Sequence, residues 1–121
     1  MARILIVDDE RLIQQLLSQL LEEDGHSCET AGNVAEGRRA LEGQVFDLVF
    51  CDVDMPDGSG LDLVKETRAG GNDVPVVMMS GVHDASLAAC AVDLGVEGYM
   101  LKPFPLEDVR ERVAKILGPP A

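Results

Sequence analysis

Charged and hydroxyl side chains follow four of the five short strand-like runs in this 121-residue sequence. They are Asp8 and Asp9 after the first run, Asp52 after the third, Ser80 after the fourth and Lys102 after the fifth. If the three carboxylates converge, each like-charge pair costs on the order of 4 kcal/mol at about 4 Å and an effective dielectric constant near 20. A cation must offset that repulsion, and oxygen ligands with room for water favour Mg²⁺. Lys102 would supply a second, fixed positive charge.

These groups are typical of phosphoryl transfer. A metal ion and a lysine neutralise the phosphoryl oxygens, a hydroxyl donates a hydrogen bond, and one carboxylate serves as the nucleophile. Asp52 is the expected acceptor because it follows the run predicted to be the central strand. Each position alone could equally be a turn residue or a helix cap, but five such positions at strand ends favour a site.

The elements that position these groups are indicated by alternating strand-like and helical patterns. Strands are predicted at residues 4–7, 26–31, 47–51, 75–79 and 98–101, and helices at 12–21, 33–43, 61–69, 84–94 and 106–117. Asn33 and Glu36 have the spacing of a helix N-cap with its reciprocal acid, and Gly25 is expected to end the first helix. The alternation predicts a parallel sheet covered by helices on both faces. Ligands bind such sheets at the carboxyl ends of the strands.

Four separate motifs carry a resemblance to a known family. They are ILIVDDE at residues 4–10, DLVFCDVDMPDGSGLDL at 47–63, VPVVMMSG at 74–81 and GYMLKPF at 98–104. With these motifs in order, the sequence resembles the receiver domain of two-component response regulators over essentially its whole length. The resemblance implies an α/β fold with a doubly wound five-stranded parallel sheet of order 2-1-3-4-5 and five helices. It also implies a receiver domain at residues 1–117, followed by a tail or the start of a linker at 118–121.

The resemblance further implies a Mg²⁺ site. Asp8 and Asp9 would form its acidic pocket, with Asp9 as a direct ligand, and Asp52 and the backbone carbonyl of Asp54 would complete it. Asp52 would be phosphorylated by a sensor histidine kinase or a phosphotransfer protein. The domain would promote only its own phosphorylation and dephosphorylation, so we do not expect an enzyme that acts on a separate substrate.

Three more residues take roles from the same resemblance. Ser80 would contact the phosphoryl group, Lys102 would pair with it, and Tyr99 would be an aromatic switch. The peptide bond between Lys102 and Pro103 is expected to be cis. If Ser80 and Tyr99 move on phosphorylation, they change a surface on which a second copy or a target could dock. That surface consists of the helix at 84–94, the strand at 98–101 and the helix at 106–117.

Two other functions are compatible with parts of the sequence. Asp52 and Asp54 form a D-x-D pair after an apolar strand, as in small phosphatases that use the first Asp as nucleophile and the second as general acid. That alternative does not explain Asp8 and Asp9. A binding module that is never phosphorylated is the other alternative, but the presence of the acceptor, the lysine and the hydroxyl argues against it.

Charge and composition restrict the partners. The sequence has 22 acidic and 10 basic residues and a net charge of −12, which disfavours direct binding to nucleic acid and to anionic membranes. The apolar runs are too short to cross a bilayer. Three cysteines without a CxxC motif indicate a reducing compartment, so the expected location is the cytoplasm.

Overall fold

The computed structural model describes residues 1–82 and 84–119. Helices and strands alternate along the chain, and most of them begin and end within two residues of the predicted positions. The elements are β1 (Arg3–Val7), α1 (Arg11–Glu23), β2 (Ser27–Ala31), α2 (Val34–Gly43), β3 (Leu48–Asp52), β4 (Asp54–Met55), β5 (Gly58–Ser59), α3 (Gly60–Ala69), β6 (Val76–Ser80), α4 (Ala85–Asp93), β7 (Gly98–Leu101) and α5 (Leu106–Leu117). The two-residue strands β4 and β5 were not predicted, since that segment has the composition of a turn.

The main sheet has five parallel strands in the order β2-β1-β3-β6-β7. Counted without the small hairpin, this is the order 2-1-3-4-5, so the predicted topology is confirmed. After β1, the chain places β2 on one side of it and then β3, β6 and β7 in succession on the other side. The carboxyl ends of β1 and β3 therefore border the switch point at which open α/β sheets bind ligands.

Strand side chains alternate between two buried layers, because successive residues of a strand point to opposite faces. One face, including Val7 and Cys51, packs with residues of α2, α3 and α4. The other face, including Ile6 and Phe50, packs with residues of α1 and α5. Every residue of β3 and β6 is buried, whereas the edge strand β2 is largely half-exposed. The strand that ends in Asp52 is thus held rigidly from both faces.

The helix ends agree with the sequence patterns in most respects. Asn33 caps α2 by accepting a hydrogen bond from the Glu36 amide at 2.8 Å, while the Glu36 carboxylate accepts from the Gly32 amide at 2.8 Å and from the Asn33 side-chain amide at 3.3 Å rather than from the Asn33 backbone. Gly25 follows α1 with a φ of 93°, a conformation that glycine adopts with little strain. Residues 120 and 121 of the predicted tail lie outside the described residues. Among the helices that the structure describes, none has both the length and the apolar character of a membrane span.

Candidate functional site

The predicted polar groups gather at the carboxyl edge of the sheet. Asp8 directly follows β1, Asp52 and Ser80 are the last residues of β3 and β6, and Lys102 directly follows β7. The backbone amide of Lys102 donates a 2.7 Å hydrogen bond to the Ser80 carbonyl, so the lysine is held to the sheet immediately beyond its last strand. Asp8 is fully buried and Asp52 is only 4% exposed.

The ammonium of Lys102 joins three carboxylates. Its Nζ lies 2.7 Å from Asp8 Oδ2, 2.8 Å from Glu10 Oε1 and 3.1 Å from Asp52 Oδ2. Burial alone disfavours the ammonium, but its carboxylate partners outweigh burial and raise the pKa of Lys102 above the ordinary value. The lysine is therefore a permanent positive charge at this edge.

One ammonium does not balance three carboxylates. Burial raises the pKa of Asp8 and of Asp52 above their ordinary value, and the nearby Lys102 opposes that shift without cancelling it. The two buried carboxylates are thus costly to keep ionised. An additional cation at this edge would lower that cost.

The donor set fits a hard divalent cation. Asp8 Oδ1 accepts a hydrogen bond from the Glu10 amide at 2.8 Å, but the buried Oδ2 receives none with good geometry despite the close ammonium of Lys102. Oxygens of Asp8, Glu10 and Asp52 lie within 4.8 Å of one another. Several converging carboxylate oxygens beside a single ammonium are an arrangement that suits a Mg²⁺ ion with some retained water.

Comparison with known proteins identifies the family. The sequence model for the response regulator receiver domain matches residues 4–114. The chain belongs to this family. Receiver domains are the parts of response regulators that interact with histidine kinases in two-component systems.

Relatives and solved structures agree with that assignment. The chain is 32% identical over 115 residues to the response regulator MprA of Mycobacterium sp. strain KMS, covering 95% of this chain and 50% of MprA. It resembles the crystal structure of a two-component response regulator from Clostridium difficile, with a TM-score of 0.92, 31% identity and coverage of 97% and 96%. It also resembles TrrA from Thermotoga maritima in complex with Mg²⁺–BeF, with a TM-score of 0.86, 32% identity and coverage of 97% and 100%. This receiver domain spans about half the length of the curated relatives it matches.

The metal ligands expected from the resemblance are only partly brought together in the receiver domain. Asp9 and Asp54 are exposed and line an open cavity of about 300 Å³ with Asp52 and Lys102. Glu10, and not Asp9, belongs to the group of converging carboxylate oxygens. The direct-ligand role of Asp9 stays a prediction. Glu10 was not predicted as a site residue, because its side chain meets Lys102 across 92 positions of the chain and no local pattern connects the two.

Ser80 ends β6 and Tyr99 lies in β7, as the sequence predicts, and among the described residues neither hydroxyl hydrogen-bonds to Asp52. The Ser80 hydroxyl donates to the Val82 carbonyl and accepts from the Val82 amide, both at 3.1 Å. Tyr99 is half-buried and packs against the core under α4. Its hydroxyl is buried and has no hydrogen-bond partner among the residues that the structure describes. The Lys102–Pro103 peptide bond is cis, as predicted.

Asp57 is a further residue with a role that sequence reasoning missed. It lies in the turn between β4 and β5, and its carboxylate accepts hydrogen bonds from the Val34 and Ala35 amides at the start of α2. The turn composition around Asp57 pointed only to a loop. The partner helix begins 23 residues earlier in the chain, and no local pattern connects the two.

Proposed function

We propose that Asp52 accepts a phosphoryl group from the phosphohistidine of a sensor histidine kinase or a phosphotransfer protein, in a Mg²⁺-dependent reaction. The observation that carries the proposal is the position of Asp52. Its carboxylate ends the central strand, touches the Lys102 ammonium at 3.1 Å and faces the open cavity at the carboxyl edge. No other carboxylate combines these three features among the residues that the structure describes.

The residues that would hold Mg²⁺ are Asp8, Asp9, Asp52 and the backbone carbonyl of Asp54, with Glu10 close to them. The convergence of Asp8, Glu10 and Asp52 oxygens within 4.8 Å of one another and the raised pKa values of Asp8 and Asp52 support this assignment. When bound, the ion would neutralise negative charge on the phosphoryl oxygens. TrrA, a structural relative, is described in complex with Mg²⁺–BeF, which favours the same arrangement in this chain.

The reaction proceeds by in-line displacement at phosphorus. A carboxylate oxygen of Asp52 forms the new P–O bond as the P–N bond of the phosphohistidine breaks. The imidazole nitrogen leaves with the bonding electron pair and takes up a proton. Lys102 stabilises the charge on the phosphoryl oxygens. Dephosphorylation is a separate step: water attacks the same phosphorus, the bond from phosphorus to the Asp52 oxygen breaks with its electron pair left on the carboxylate, and the water's proton is lost to solvent as inorganic phosphate departs. The chain thus processes its own phosphoryl group rather than a separate substrate.

The output follows from the charge that the phosphoryl group adds, roughly −1.5 to −2. The Ser80 hydroxyl would leave the Val82 backbone and turn toward that charge, and Tyr99 would repack beneath α4. The face formed by α4, β7 and α5 would then bind a target or a second copy of the chain. These are expected to be cytoplasmic events, without direct nucleic-acid or membrane binding by this domain.

Phosphorylation with acetyl phosphate and Mg²⁺ tests the assignment. Intact mass spectrometry should show one added phosphoryl group on the parent chain and on Asp54→Asn, and none on Asp52→Asn. Sedimentation of the phosphorylated parent and of Ser80→Ala then tests the output face, since the Ser80 variant should accept the phosphoryl group yet lose most of the change in association. Labelling of Asp52→Asn, or steady aryl-phosphate turnover that requires Asp54, would contradict the proposed function.

A further inference from the structure

The turn between β4 and β5 is tied to a distant helix end. Asp57 Oδ1 accepts from the Val34 amide at 2.8 Å, and Oδ2 accepts from the Ala35 amide at 3.1 Å. These are two of the amides that a helix leaves without intrahelical partners in its first turn. Asn33 satisfies a third, the Glu36 amide. The hydrogen bonds from Val34 and Ala35 lower the pKa of Asp57, so the cap is ionised near neutral pH.

The same turn is continuous with the acceptor. β4 and β5 form an antiparallel hairpin in which Asp54 pairs with Ser59 and Met55 with Gly58, called here the 54–59 hairpin. The Asp54 amide donates to Asp52 Oδ1 at 3.3 Å, so the first residue of the hairpin touches the acceptor carboxylate. Any displacement of the hairpin therefore displaces backbone groups at the edge of the acidic cluster.

The 54–59 hairpin is too short to hold its own position. Two residues in each strand give little hydrogen bonding, and Met55 is the one buried side chain of the hairpin, whereas even longer isolated hairpins are marginal in water. Gly60 anchors the hairpin at its exit by donating to the Val53 carbonyl at 2.8 Å. At the turn, the two hydrogen bonds of Asp57 to α2 are the external attachment.

We propose that Asp57 is a positioning residue for the metal and phosphoryl site, acting by fixing the 54–59 hairpin against the start of α2. The inference rests on the proposed function, because it assumes that the Asp54 backbone borders a Mg²⁺ site. Asp57 itself does not touch the ion or the phosphoryl group. Asp57 fixes the position of the Asp54 backbone, whose carbonyl would contact the ion.

The chain offers a matched control. Asn33 caps the same helix, and among the described residues the hydrogen bonds of its side chain go to Glu36 alone. Asn33→Ala and Asp57→Ala both weaken the start of α2, but only Asp57→Ala releases the hairpin. Asp57→Asn keeps one acceptor oxygen and should fall between Asp57→Ala and the parent.

The experiment measures Mg²⁺ affinity by isothermal titration calorimetry and amide hydrogen exchange at residues 53–59 for the parent and the three variants. Removing a group that orients a metal ligand typically weakens binding by 10- to 100-fold. We expect Asp57→Ala to weaken Mg²⁺ binding by about tenfold, at the lower end of that range, and to speed exchange in the hairpin. Asn33→Ala should lose comparable thermal stability and keep the parent's affinity and hairpin exchange.

The outcomes separate this inference from the proposed function. A parent that binds Mg²⁺ and takes up one phosphoryl group, while Asp57→Ala and Asn33→Ala bind Mg²⁺ equally well, overturns the role of Asp57 alone. A parent that neither binds Mg²⁺ nor is phosphorylated overturns the proposed function and this inference with it. Loss of affinity in Asp57→Ala with partial recovery in Asp57→Asn supports the positioning role.

Discussion

The two edges of the sheet handle charge in opposite ways. At the carboxyl edge, one ammonium faces three carboxylates, two of them buried. At the amino edge, Arg68 lies 3.8 Å from Glu97 and donates to the carbonyls of Asn72 and Val74 at 3.1 and 2.7 Å. The charge of Arg68 is thus met by one carboxylate, and its guanidinium bridges carbonyl groups of the loop before β6. Unbalanced buried charge is typical of functional sites, whereas matched and partly exposed charge contributes modestly to stability.

The largest difference between the two edges is the space available for a side chain at a glycine. A methyl group on Gly60 would lie 1.9 Å from the Asp52 carbonyl oxygen, whereas one on Gly25 would meet nothing within 4 Å. Gly60→Ala should therefore lower the free energy of unfolding by about 3 kcal/mol or more through overpacking, and it should abolish phosphorylation because the acceptor strand shifts. Gly25→Ala should cost about 1 kcal/mol of left-handed strain and leave phosphorylation intact.

Urea unfolding and acetyl-phosphate labelling of both glycine variants measure the two effects. If Gly60→Ala were as stable and as readily phosphorylated as Gly25→Ala, the close approach of α3 to the end of β3 would not be a structural requirement.

The two cations give the next largest contrast. Lys102→Ala leaves buried carboxylates without their partner, and such a loss costs about 3 kcal/mol. Part of that stability should return with Mg²⁺, because an ion that binds the folded state shifts the folding equilibrium. Arg68→Ala leaves carbonyls unpaired and should cost about 1–2 kcal/mol, with no response to Mg²⁺ beyond that of the parent.

Thermal unfolding with and without Mg²⁺ distinguishes the two cation variants. Equal recovery of Lys102→Ala and Arg68→Ala by Mg²⁺ would mean that the ion acts generally on an acidic chain rather than at the carboxyl edge.

The smallest individual effects are expected for two aspartates, and they differ in sign. Asp52→Asn removes a carboxylate whose pKa burial raises, so without Mg²⁺ it should stabilise the chain by about 1 kcal/mol. Asp47→Ala, at the amino edge, loses the 2.8 Å hydrogen bond from the Arg3 amide and should destabilise by about 1 kcal/mol. Denaturant midpoints in chelator-treated buffer give both values. A destabilised Asp52→Asn would show that Lys102 already balances the cluster.

The sequence was sufficient where function depends on strand ends. Asp8, Asp52, Ser80 and Lys102 fall at one edge because parallel strands share direction, and direction follows from the alternation of strands with helices. The strand order 2-1-3-4-5, which the resemblance implied, is confirmed.

The sequence was insufficient where a side chain reaches across the fold. Glu10 contacts Lys102 over 92 positions in the chain and Asp57 contacts Val34 over 23, and neither pair has a local signature. The orientation of the Ser80 hydroxyl toward Val82 depends on a loop conformation. These contacts are decided by packing between elements rather than by the pattern within one of them.

The separation between Lys102 and its partners has a consequence for assembly of the site. The acids lie within the first half of the chain, on or beside the inner strands β1 and β3. Their counter-charge, Lys102, follows β7, which is the last strand along the chain and an outer strand of the sheet. Edge strands open more readily than strands paired on both sides. A fluctuation that detached β7 alone would withdraw the lysine and leave the acids in place. The ability of Asp52 to accept a phosphoryl group thus depends on β7 staying paired with β6. This requirement extends beyond the residues that line the site.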